Sequence, residues 1–371
     1  MEQLGLYVHI PFCVRKCAYC DFSSWANRAQ DMQKYTDALC DEIRVRALET
    51  GRQTCDTVIF GGGTPSVLPE NLFEQIVQTL RRHYDFAKNT EFTVECNPGT
   101  VTEGFARTMV RCGVNRVSMG MQAAQEALLK RLGRIHNMND VRQAVETLRS
   151  AGIQNLNLDL MLGLPGQTME DMRETLREAL SLAPQHISCY ALIVEEGTPL
   201  ARAVDTGEMT LPGEDMDRDM YELCRKTLAA AGFMQYEISN FALPQKACRH
   251  NENCWQRAPY LGFGCAAHSF YNETRRANPA NLDDYLNGAA PEIEHISRED
   301  AMFERLMLGL RLTKGVSEDA FLREFQVPLW DVYGRKLTPA LQDQRLRREN
   351  GYVYLTEHGM DVMNSVLVEL M

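Results

Sequence analysis

Residues 6–20 read LYVHIPFCVRKCAYC, an apolar run followed by three cysteines in eight residues, Cys13, Cys17 and Cys20. The run reads as a strand, so the thiols fall in the loop that leaves it. A structural zinc site usually takes four ligands in paired C-x2-C spacings, and no second pair follows nearby. Three core cysteines would leave the three-then-two spacing unexplained. A cubane iron–sulfur cluster has four iron corners, and three thiolates would leave one iron with an open position for substrate. Zinc, core thiols and cluster stand as the alternatives at this point.

Outward from this stretch, β-rich apolar runs recur at TVIF (57–60), EFTVE (91–95), RVSMGM (116–121), NLNLDL (155–160) and HISCYAL (186–192). Between them lie amphipathic segments such as YTDALCDEIRVRALE and LFEQIVQTLRRHY, with apolar residues at helical spacing. Six strand–helix units of this kind predict an α/β domain built on a parallel sheet, either open and doubly wound or closed into a full or partial barrel. After EEGTPL the rhythm changes. A helix is expected around 214–231 and a short strand at QYEIS, then an irregular stretch to about 271 that could serve as a lid. The last residues predict helices at SREDAMFERLMLGLR, at SEDAFLREF and around 334–349, and a hairpin at GYVYLTEHG, which together suggest a winged-helix-like module. The expected division is a core over 1–235, a family-specific region over 236–295 and the terminal module over 296–371.

Composition narrows the function classes. The chain has 371 residues, 44% of them apolar, which suffices for an ordinary globular core. No run approaches the ~20 apolar residues needed to span a bilayer, so no integral membrane segment is expected. The N-terminus lacks a basic region followed by an apolar stretch, and a cytoplasmic location is expected. There the 12 cysteines would be ligands and core residues rather than disulfides. A net charge of -11 argues against nucleic acid as a partner. The one basic cluster of the terminal module, Arg345, Arg347 and Arg348, is expected on a solvated helix face or a protein-docking patch.

Functional residues of parallel α/β barrels gather at the C-terminal ends of the strands. Here TVIF is followed by GGGTPS (61–66), whose glycines let the backbone approach a ligand. Polar residues also end three otherwise apolar strands, at Glu95, Gln122 and Asp159.

The C-x3-C-x2-C spacing after the first strand resembles the radical S-adenosylmethionine (SAM) superfamily. The resemblance implies a partial (β/α)6 barrel in which Cys13, Cys17 and Cys20 hold a [4Fe-4S] cluster. SAM would chelate the fourth iron through its amine and carboxylate, and Tyr19 would lie near the adenine. An electron delivered to the cluster by a donor would cleave SAM to methionine and a 5′-deoxyadenosyl radical. YVHIPFC, FGGGTPS, ECNPGT, NRVSMGMQ, LKRLGRIH and NLDLMLGLPGQT resemble, more narrowly, the coproporphyrinogen III dehydrogenase-like branch. That match implies SAM contacts at Tyr7, Gly62, Gly63, Thr64, Glu95, Gln122, Arg134 and Asp159. The dehydrogenase itself carries a fourth cysteine where Phe22 stands here, and a long extension before the first strand. Both departures favour the HemW-like family of haem chaperones, which would hand haem to an acceptor protein; an oxygen-independent coproporphyrinogen III oxidase, or a radical SAM enzyme on another substrate, is the alternative. No dehydrogenase activity is expected, and SAM would be bound or cleaved. The family carries an H-N-x-x-Y-W motif, and residues 250–255 read HNENCW. His250, Cys254 and Trp255 are therefore candidate haem contacts, with Cys254 replacing the tyrosine, and a structural turn beside a packed tryptophan is the competing reading. Cys265 and His268 are expected to be structural.

Overall fold

The structure, a computed structural model, describes residues 4–370. Six strands lie side by side in chain order, all parallel: β1 (Gly5–Ile10), β2 (Thr54–Gly62), β3 (Asp85–Cys96), β4 (Arg116–Gln122), β5 (Asn155–Leu162) and β6 (His186–Ala191). Helices α1 (Met32–Thr50), α2 (Glu70–His83), α3 (Glu103–Arg111), α4 (Met138–Ala151) and α5 (Met169–Ser181) cross between them. This is the expected α/β partial barrel. The helices begin where local chemistry supplies acceptors for their free N–H groups. Thr102 caps α3, and Asn137 with Asp140 and Thr168 with Asp171 form capping boxes on α4 and α5.

Alternation along each strand divides the molecule into an outer core and an inner lumen. On β4, Val117, Met119 and Met121 are fully buried in the main hydrophobic cluster, while Arg116, Ser118 and Gly120 line an internal cavity. The same alternation on β5 turns Asn157 and Asp159 inward and packs Leu156, Leu158 and Leu160 outward.

Past α6 (Glu214–Ala230), the short strand expected at QYEIS is present, and the stretch after it, expected to be irregular, is largely ordered sheet. β7 (Met234–Glu237) and β8 (Asn240–Ala242) extend the sheet antiparallel beyond β6. The short helix α7 (Arg249–Trp255) leads to β9 (Tyr260–Phe263), which pairs parallel with β1, Gly5 opposite Tyr260. Strands β10 (His268–Tyr271), β11 (Thr274–Ala277) and β12 (Glu292–His295) continue outward from β9, so that twelve strands form one sheet. The pairing of β9 with β1 spans most of the chain and leaves no local trace in the sequence.

The terminal residues form α8 (Arg298–Gly309), β13 (Val316–Ser317), α9 (Glu318–Phe325), α10 (Leu329–Gln342), β14 (Leu346–Glu349) and β15 (Tyr352–Leu355) around a separate core that includes Leu306, Phe321, Leu337 and Val353. Three short strands, ordered β13-β15-β14, give the winged-helix-like shape. The third helix starts earlier than expected and ends at Gln342, because residues 346–349 pair with Tyr352–Leu355 as a hairpin. The arginines expected on a helix face therefore lie at the start of this hairpin. Arg345 is paired with Asp343 and Glu369, and Arg348 is paired with Glu318 and stacked 4.4 Å over Trp330, so these two are committed within the module.

Helix α7 closes the N-terminal end of the barrel. Glu91, at the base of β3, accepts hydrogen bonds from the backbone N–H groups of Arg249 and His250, each at 3.1 Å. Asn253 donates to Asp56, and the imidazole of His250 meets the Thr57 hydroxyl at 3.0 Å. Replacing Glu91 by Ala leaves two buried helix-end donors unpartnered, and a loss of about 3 kcal/mol is expected. Chemical denaturation followed by circular dichroism measures it; a loss below about 1 kcal/mol would show that α7 is held chiefly by other contacts.

Candidate functional site

At the C-terminal ends of the strands the chain builds one wall from the cysteine loop and a facing wall from β2 to β6. Cys13, Cys17 and Cys20 are free, half-buried and line the mouth of a single cavity of about 520 Å3. The loop is tied down at several points: Ala18 N–H donates to Leu132 O at 2.9 Å, Leu200 N–H donates to Ala18 O, and Cys20 N–H donates to Cys17 O. The glycine run packs against it. Gly63 and Thr64 donate from their backbone N–H groups to Ile10 O and Phe12 O, both at 2.8 Å. A Cβ on Gly63 would lie 2.8 Å from those same two oxygens, so no other residue fits without moving the loop. Gly62 has a φ of 102°.

Two donors are aimed at sulfur. The Thr64 hydroxyl lies 3.5 Å from Cys13 Sγ, and Arg134 Nη1 lies 3.5 Å from Cys17 Sγ while Nη2 donates to Gly120 O at 2.7 Å. Hydrogen bonds to sulfur of this kind accompany cluster thiolates. Among the described residues no three His, Cys, Asp or Glu side chains converge on a single ion position. Three separate thiols on one wall suit a cubane, in which each thiolate takes its own iron. Burial raises the Cys20 thiol above its ordinary value.

The remaining predicted residues meet in the same cavity. Tyr19, Gly62, Gly63, Thr64, Glu95, Gln122, Arg134 and Asp159 all line it. Glu95 accepts from Gly62 N–H at 3.3 Å, and Asp159 accepts from Asn157 at 2.6 Å and from the Ser118 hydroxyl. Gln122 adopts a φ of 65°, uncommon outside glycine, at a register irregularity between β4 and β5 that turns its side chain into the cavity. Tyr7 lies beside this space rather than in it, on an adjoining cavity with Glu95 and Gly62. Its hydroxyl meets His9 Nδ1 at 2.8 Å, and His9 Nε2 reaches Ser23 O at 2.9 Å.

Buried charge sets the electrostatics. Removal from water, with Asp159 nearby, pushes Glu95 up to about 7, and burial likewise raises Asp159. His9 is lowered by burial and stays neutral. The sequence reading missed His9, Arg116, Asn157 and Tyr190, all on inward strand positions. The signal was there in the alternation, since each stands two residues from another inward polar or aromatic side chain.

The haem candidates are not brought to this cavity wall. His250 is buried under the base of β1 and β2, where a Cβ on Gly5 would lie 3.1 Å from its ring. Burial lowers it to about 4 and raises the Cys254 thiol to about 11. Trp255 lies beneath the guanidinium of Arg311, 4.4 Å from its ring centre. As the helical spacing requires, His250 and Cys254 are one turn apart on α7. Cys265 is buried with its thiol against Pro279 O and Ala280 O, whereas His268 is exposed and lines the adjoining cavity.

A parallel partial barrel with three thiols in the loop after its first strand defines a radical SAM protein. Residues 7–179 match the Radical SAM superfamily and residues 296–362 match the HemN C-terminal domain. The chain is 34% identical to the heme chaperone HemW of Bacillus subtilis, covering 97% of each chain, and 34% identical to that of Escherichia coli, covering 99% of this chain and 98% of the relative. Among solved structures it is similar to coproporphyrinogen III oxidase (HemN) from Escherichia coli, with a TM-score of 0.87, 21% identity, and coverage of 100% of this chain and 90% of that one. The chain belongs to the HemW family of the radical SAM superfamily. The cofactors of that superfamily are a [4Fe-4S] cluster and SAM, and the thiols, the sulfur-directed donors and the glycine wall fit them. The residues that would hold the cluster are Cys13, Cys17 and Cys20; it would supply an electron to SAM. No helix among the described residues is long and apolar enough to cross a membrane.

The raised Glu95 gives a pH signature. Between about pH 4.5 and 7 the folded chain holds a proton there that the unfolded chain has released, so its contribution to stability falls as pH rises through this window and is flat above it. Glu95→Gln removes the charge at nearly constant shape. The variant is expected to be more stable than the parent by about 3 kcal/mol at pH 8 and equal to it at pH 4, measured by denaturant unfolding of the cluster-free protein. Equal stability of the two proteins at pH 8 would mean that Glu95 is well solvated.

Proposed function

We propose that this protein is a haem chaperone that binds a [4Fe-4S] cluster, SAM and haem and delivers haem to an acceptor protein. The observation that carries the reading is similarity along the whole chain to proteins named heme chaperone HemW, together with Phe22 at the place where a coproporphyrinogen III dehydrogenase has its further cysteine. In this reading Cys13, Cys17 and Cys20 hold the cluster. Tyr19, Gly62, Gly63, Thr64, Glu95, Gln122, Arg134 and Asp159 surround SAM, with Tyr7 behind Glu95. The setting is cytoplasmic, an electron donor serves the cluster, and the chain divides into a core over 1–235, a family-specific region over 236–295 and a terminal module over 296–371.

Haem is assigned to α7. A neutral imidazole is the form that ligates iron, and His250 is neutral throughout the physiological range. Cys254 is held as a thiol, which makes it the poorer ligand of the two. Because the His250 ring is packed against Thr57 and Gly5, ligation requires α7 to lift from the barrel base. Haem uptake should therefore be slow compared with diffusion, and should accelerate when the base contact is weakened.

Haem titration followed by absorbance tests this assignment in the parent, His250→Ala, Cys254→Ala and Thr57→Val proteins. The expected result is about one haem per chain, lost in His250→Ala, retained in Cys254→Ala and faster in Thr57→Val. Retention in His250→Ala would remove α7 from the haem site. Efficient conversion of coproporphyrinogen III to protoporphyrinogen IX would overturn the chaperone reading in favour of the oxidase.

A further inference from the structure

The inward layers of a parallel barrel are ordinarily filled by bulky branched side chains. In this barrel Ser118, Asn157 and Ser188 line open space instead, part of the same cavity that the cysteine loop borders. The space reaches down to Arg116 and, at the barrel base, to Cys248 and Asn251.

Arg116 stands out among the groups that reach this space. It is 3% exposed and lines the cavity, yet among the described residues its guanidinium makes no hydrogen bond or ion pair, and its Nε is without a partner. A buried guanidinium with no partner is costly, by several kcal/mol, so such groups are normally paired. The nearby acids are already engaged. Asp159 accepts from Ser118 and Asn157, and Glu91 accepts the two N–H groups at the start of α7. Burial opposes the charge, and the carboxyl groups of Glu91 and Asp159 favour it.

We propose that the lower lumen binds a small organic carboxylate, with Arg116 anchoring the carboxylate. Arginine presents its N–H groups as a planar fork that matches a carboxylate, which a point charge does not. The ligand would occupy the barrel beneath the residues assigned to SAM. This site is independent of the haem assignment, because α7 contributes only Asn251 to the cavity and His250 none of its lining.

Ligand-observed saturation-transfer NMR on the full-length, anaerobically reconstituted protein tests it, with lactate, propionate and sulfate as probes and SAM binding measured separately by dialysis. Lactate and propionate are expected to bind saturably and in competition with each other, and sulfate, which does not match the planar fork, several-fold more weakly. Arg116→Gln should weaken lactate at least ~10-fold while leaving SAM bound. Arg116→Lys, which keeps the charge and guards against misfolding, should fall between. Absence of saturable lactate binding, equal binding in folded Arg116→Gln, or sulfate binding as tightly as lactate would each overturn the proposal.

Discussion

Every strand of the parallel run must bury two faces, and each does so with two chemistries. Val117, Met119 and Met121 face the helices from one side of β4, while Arg116, Ser118 and Gly120 face the lumen from the other. The outer face supplies the apolar burial that holds the domain together. The inner face is free to be polar only because each group finds a partner or a cavity. Asp159, Asn157 and Ser118 form one such satisfied set, and Glu95 with Gly62 N–H forms another. Parallel register then brings residues far apart in the chain to one level: Glu95 stands opposite Ser118, Ser118 opposite Asn157, and Gly120 opposite Asp159.

The thiol loop depends on that register. Ile10 and Phe12 offer their carbonyls to Gly63 and Thr64, so the loop after β1 is positioned by the loop after β2. Arg134 closes the arrangement from the far side, spanning Gly120 O and Cys17 Sγ with one guanidinium. The loop is thus held by main-chain contacts that do not depend on the identity of Val14, Arg15 or Lys16, whose side chains are exposed.

The parallel core and the cofactor wall were legible in the sequence because their signals are local. A polar residue ending an apolar strand, as at Glu95 or Asp159, and a glycine run after a strand both sit where the barrel rule places function. Long-range features were not legible. Nothing near Tyr260–Phe263 announces a parallel partner at Gly5–Val8, and the stretch was read as irregular for that reason. The first strand of the terminal hairpin, 346–349, likewise competed with a helical reading and won through pairing with Tyr352–Leu355. For HNENCW nothing in the sequence showed that Glu91, Asp56 and Thr57 would draw it under the barrel base. Arg116 and His9 carried only the weak signal of alternation, because neither ends its strand as Gln122 does.

The account rests on three thiols holding a cubane whose fourth iron is open to SAM. Low-temperature electron paramagnetic resonance of the anaerobically reconstituted, dithionite-reduced protein tests this most directly. A reduced [4Fe-4S] signal is predicted, with g-values that move when SAM is added and do not move with methionine-free adenosine. A missing cluster signal, or a spectrum unchanged at saturating SAM, would contradict it.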